Sequence, residues 1–95
     1  MRTASVYESM GDLERALPLF EATLADRERV LGHEHPNTLL SRNNLASASW
    51  SAGDRDRAIS LQRAALADAE RVLGPDHPTT RTIRANLKVF SQDQR

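Results

Sequence analysis

The chain has 95 residues, 39% of them hydrophobic and 27% charged, the composition of one small packed domain rather than of a fibrous, disordered or membrane-embedded chain. Thirteen Lys and Arg balance thirteen Asp and Glu, so there is no basic excess to draw nucleic acid or an anionic membrane surface, and neither is expected as a partner. The absence of cysteine excludes disulfide scaffolds, thiolate metal sites and cysteine nucleophiles.

In chain order, residues 1–10 read as the later part of a helix whose opening turns fall before Met1. They show neither a leader-like start nor a long apolar run, so a soluble, non-exported, cytoplasmic chain is expected. Gly11-Asp12 then closes one helix and caps the next. From Leu13 to Leu31, the residues Leu13, Ala16, Leu17, Phe20, Leu24 and Leu31 recur near helical spacing and predict an amphipathic helix, with a kink expected at Pro18. A proline turn over His33-Glu34-His35-Pro36 leads into a helix predicted to start near Asn37-Thr38. Gly53-Asp54 repeats the stop-and-cap signal. Arg55 to Leu73 is again amphipathic, with Ala58, Ile59, Leu61, Ala65, Leu66, Ala69 and Val72 on its stripe. Pro75-Asp76-His77-Pro78 repeats the turn, and a last helix is predicted from near Thr79-Thr80.

These elements are copies. Shifting the chain by 42 residues aligns Glu28-Arg29-Val30-Leu31-Gly32 with Glu70-Arg71-Val72-Leu73-Gly74, and His35-Pro36 with His77-Pro78. Thr38, Arg42 and Asn44-Leu45 align with Thr80, Arg84 and Asn86-Leu87, and 24 of the 53 overlapping positions are identical. The chain is therefore about two and a quarter units: a shortened first repeat over 1–31, a second over 37–73, and the first helix of a third over 79–95. A single helix pair cannot bury its apolar stripe alone, so the pairs must stack into a helical solenoid of about five helices.

The motif Asn43-Asn44-Leu45-Ala46, with Gly53 beyond it, Ala58 in the following helix and a Leu-Gly-x-x-His-Pro connector, resembles the tetratricopeptide repeat. The 42-residue period resembles the variety found in kinesin light chain, and Thr23 to Gly32 with Ser41 to Ala46 resembles arrays in actinobacterial regulators that carry an NB-ARC-type nucleotide-binding domain. The resemblance implies an all-α, right-handed helical-hairpin solenoid that binds protein partners. Lys88 and the polar Ser91-Gln92-Asp93-Gln94-Arg95 depart from the pattern as the outer face of a terminal unit would.

Catalytic signals are missing. The four glycines all stand at helix ends, so no phosphate-binding glycine loop forms, and no serine has a plausible base. His33, Glu34 and His35 lie in a proline turn rather than on a helix, and read as connector residues that hydrogen-bond the turn. The carboxylates Asp26, Glu28, Asp68 and Glu70 alternate with Arg and read as a solvated, ion-paired helix face. The chain is expected to be no enzyme and to take no cofactor or metal.

What remains is a surface. Asn43, Asn44, Ser47, Trp50 and Ser51 lie on one stripe of the second unit's first helix, opposite a stripe of Leu45, Ala46, Ser49 and Ala52 that is small enough for close helix packing. Asparagine both donates and accepts, which suits it to bracket the backbone of an extended peptide, and tryptophan is enriched at interaction hot spots. The resemblance places Asn44 and Asn86 as groove asparagines, with Arg2 at the corresponding position of the first unit. The stripe extends through Glu8 and, in the last unit, Val89. The alternative for Asn44 and Asn86 is a bridge between neighbouring first helices. The function expected is a non-catalytic protein- or peptide-binding module using the concave face. The alternative is a regulatory or assembly segment that self-associates, as a homodimer through the N-terminal face near Ala4, Val6, Tyr7, Leu13 and Leu17, or packs on a larger signalling protein. Fewer than three repeats favours marginal stability or self-association for the isolated chain.

Overall fold

The computed structural model describes residues 13–93, which form four α-helices and no strand. They are α1 (Leu13–Leu31), α2 (Pro36–Ser51), α3 (Arg55–Val72) and α4 (Pro78–Asp93). The first of the five expected helices falls on residues 1–12, outside the described residues. Consecutive helices pack on one another, and α2 also reaches α4. Helices α2 and α4 are thus the first helices of successive hairpins, and α1 and α3 are the second helices. The all-α helical-hairpin repeat is what the 42-residue period requires.

The repeated residues are the ones that join the units. Both long second helices stop at a glycine in the left-handed region, Gly32 and Gly74, and Gly53 closes the α2–α3 hairpin, each at φ 93°. An L side chain at such a φ is strained. Asp54 caps α3 by accepting the Arg57 N–H at 3.3 Å. Helices α2 and α4 begin at Pro36 and Pro78, one residue ahead of the expected Asn37 and Thr79. Proline lacks the N–H that a first helical position leaves unpaired, and its fixed φ suits that place. The acceptor for the next free N–H comes from a histidine: Nδ1 of His35 takes the Asn37 N–H at 3.0 Å, and Nδ1 of His77 takes that of Thr79 at 3.1 Å.

Two further clips recur. Thr38 and Thr80 each donate a hydroxyl to a carbonyl of the preceding helix, of Arg27 and Ala69, both at 3.3 Å. Arg42 and Arg84 each reach back to a connector carbonyl, that of His33 at 3.3 Å and that of Pro75 at 3.0 Å. Pro18 lies inside α1, which runs unbroken on both sides of it.

The core is made of small residues in two clusters. Leu39 packs with Ala65, Ala69 and Ile83, flanked by Leu66 and Leu73. Ala46, Ala58 and Phe90 form the second, flanked by Trp50, Ile59 and Leu61. The small alanines of α3 face larger residues of its neighbours, Leu39 of α2 and Ile83 of α4 in the first cluster and Phe90 of α4 in the second. Truncating Leu39, which is fully buried, would leave a cavity costing about 2–5 kcal/mol.

Candidate functional site

The expected stripe on α2 divides between two sides of the helix. Asn44 and Ser51 are exposed and Ser47 is half-buried; helical spacing puts the three on one face. On α4, Val89 is 52% exposed and occupies the position that Ser47 holds one unit earlier.

Asn43 is elsewhere. It is buried, and its Oδ1 accepts the Nε2 of Gln62 at 2.5 Å and the Nδ2 of Asn86 at 2.9 Å. It is a structural group behind the exposed face rather than part of it, which corrects the expected stripe. The cause is helical geometry: a step of one residue turns the side chain by about 100°, so adjacent asparagines cannot share a face. Asn86 is tied up by this contact and bridges α4 to α2, whereas the Asn44 carboxamide has no hydrogen-bond partner among the described residues.

Trp50 has internal partners. Its ring stacks on Phe90, with centroids 4.5 Å apart and planes 11° from parallel, and the Arg55 guanidinium carbon lies over it at 4.6 Å. The indole therefore joins α2, α4 and the start of α3. Arg2 and Glu8 lie outside the described residues, as do Ala4, Val6 and Tyr7 of the N-terminal face. Leu13 and Leu17, also of that face, are half-buried.

Many of the charged residues form pairs. Arg42 donates to Asp68 at 2.8 Å, and Arg71 holds both Asp68 and Glu34 at 2.9 Å. The Arg42 guanidinium beside Asp68 holds its carboxyl below the usual carboxylate range; burial pushes the other way, and Arg71 adds to the lowering. Asp26 pairs with Arg29, Glu28 with His33, Glu21 with Arg57 and Glu70 with Arg84. No group of three or more metal-ligating side chains occurs among the described residues, and no helix there is long and apolar enough to cross a membrane.

Sequence reasoning missed two features. Gln62 is fully buried and anchors Asn43, although it stands where the first unit has Phe20. A cavity of about 270 Å³ opens between α1 and α2, lined by Phe20, Thr23, Arg27, Leu40, Ser41 and Asn44. The replacement of an apolar residue by Gln62 at a stripe position was the available signal for the first.

No curated protein matches the chain. The family model described as tetratricopeptide repeat matches residues 2–68 of the 95, well over half of the chain. Together with the stacked hairpins and their repeated clips, this match makes the chain a member of the tetratricopeptide-repeat family.

Proposed function

We propose that the array is a non-catalytic module that binds a protein or peptide along the face shared by α2 and α4. Tetratricopeptide repeats are in general protein–protein interaction modules and typically carry no catalytic site, which supports the class. The observation that carries the specific reading is the Asn44 carboxamide, exposed, without a hydrogen-bond partner among the described residues and in line with Ser47 and Ser51. Such an amide can bracket a peptide unit whatever its side chains. Val89 supplies apolar contact beside it. Asn43 and Asn86 hold the two helices in register behind this surface, and Trp50 offers an edge to it; Arg2 and Glu8, outside the described residues, are further candidate contacts by repeat register alone. The 42-residue period and the Leu-Gly-x-x-His-Pro connectors support the kinesin-light-chain-like type, and the resemblance of Thr23 to Gly32 and of Ser41 to Ala46 to actinobacterial arrays supports a place in an NB-ARC-associated, cytoplasmic regulator.

The test is peptide selection from a random library on the full chain. Selected peptides should lose binding on Asn44→Ala or Val89→Asp at an unchanged melting temperature. Retention of affinity in both variants would remove this face from the account.

A second reading, self-association, has its own observation. Leu19 and Val30 on α1 are 68% and 66% exposed and lie on one side of the helix about three turns apart. Solution mass against concentration separates the readings, since only self-association makes it rise.

A further inference from the structure

We propose that the partner segment taken by the face of α2 and α4 is extended and uncharged, rich in Ser, Thr, Asn, Gly and small aliphatic residues, and held through its backbone amides. This assignment rests on that face being a binding site and adds the class of ligand. In a chain that is 27% charged, α2 holds a single charged residue, Arg42, whose side chain is buried and paired with Asp68. The outward stripe of α2, made of Asn37, Leu40, Asn44, Ser47 and Ser51, recurs at three and four residues and carries no charge. One unit on, it continues at Thr82 and Val89 of α4, both exposed.

Helix α3 shows the ordinary solvated face of this chain: Arg55, Asp56, Arg57, Arg63, Glu70 and Arg71 are all exposed. Charged side chains keep their hydration on such a face, and they are scarce at the centre of a protein interface, where covering removes water. The α2 stripe has the composition of an interface centre. Its polar groups are also unspent. The side chains of Asn37, Asn44, Ser47, Ser51 and Thr82 make no hydrogen bond among the described residues, whereas the amides behind them, Asn43 and Asn86, are bonded to each other.

Carboxamides and hydroxyls both donate and accept, so they match the N–H and C=O groups of a backbone. They offer no counter-ion. A charged side chain covered against this stripe would stay unpaired, a cost that a neutral segment avoids. Val89, 52% exposed, adds one aliphatic contact. The cations beside the stripe are turned from it or stand at its border. Arg81 and Lys88 precede Thr82 and Val89 by one residue, a rotation of about 100° around the helix. Arg27 belongs to α1, at the edge where Leu40 and Asn44 line the cavity between the helices.

The test selects two random peptide libraries of equal size on the full chain, one containing all residue types and one lacking Asp, Glu, Lys, Arg and His. Binders are expected from both, with charged residues depleted among those from the first, and their affinity should be unchanged by added salt. Exchanging one central residue of a selected peptide for Asp or for Lys should each weaken binding by about tenfold. In the protein, Asn44→Asp should weaken the uncharged peptides by a similar factor while Asn44→Gln retains them. Comparing peptides on the unaltered chain keeps the test valid whatever a variant does to folding. Selection of acidic peptides whose binding falls with salt and on Arg27→Gln overturns the uncharged class, as does selection of basic ones, and either leaves the face as a binding site if Asn44→Ala still abolishes binding. Binders from neither library would overturn the binding site itself and this assignment with it.

Discussion

The Asn86 carboxamide donates to Asn43 Oδ1 at 2.9 Å, joining α4 to α2 across 43 positions of sequence. The same oxygen takes Gln62, whose Nε2 also reaches the Ile83 carbonyl at 3.2 Å. One buried acceptor therefore holds three helices, and removing it strands two donors. Asn43→Ala should cost about 1–3 kcal/mol of unfolding free energy. Gln62 Oε1 is buried without a partner, so Asn43→Leu with Gln62→Leu should cost less than the sum of the single changes by at least about 1 kcal/mol. Urea denaturation of the two single variants and the double checks this; additive losses would contradict the shared network.

Asp68 makes stability depend on acid. Its folded-state pKa is lowered, so the Arg42 and Arg71 contacts contribute above the unfolded-state value and are lost as pH falls through the folded one. Unfolding free energy should drop below about pH 4. Asp68→Asn should flatten that slope and cost on the order of 1 kcal/mol at neutral pH. Chemical denaturation across pH reads both effects.

Capping by histidine predicts an unusual substitution pattern. His77→Ala removes the acceptor for the Thr79 N–H and should lower stability by about 1 kcal/mol, whereas His77→Asp should recover most of it, because a short carboxylate serves the same role. Thermal melts of the two variants check the order. Equal melts would mean that the connector is held by Arg84 and its carbonyl contact alone.

Trp50 should behave as a packing residue. Stacked on Phe90 and covered by Arg55, it should cost about 3–5 kcal/mol when cut to alanine, while Arg55→Ala should cost only about 0.5–1 kcal/mol. As the sole tryptophan, it reports on the docking of α2 against α4. Its fluorescence should shift on Phe90→Ala even where far-ultraviolet circular dichroism holds.

The repeat made most of the fold legible. Gly53, Asp54, Pro36 and Pro78 set helix limits by rules local to a few residues, and the 42-residue identity set the stacking. The candidate face was legible in outline only. Asn43 and Asn44 look alike in sequence, and only the direction of each side chain on the finished helix separates a buried acceptor from an exposed amide. Trp50 was drawn to the surface by its type, because its partner Phe90 belongs to the next unit and replaces a small residue, Ala48, of the unit before.

The account rests on partner contact along α2 and α4. The most direct measurement is the mapping of amide chemical-shift changes when a library-selected peptide is titrated into the isotope-labelled chain. Shifts gathered at Asn44, Ser47, Ser51 and Val89, with the amides on the outer sides of α1 and α3 unmoved, are the predicted result. Shifts confined to α1 and α3 would contradict it.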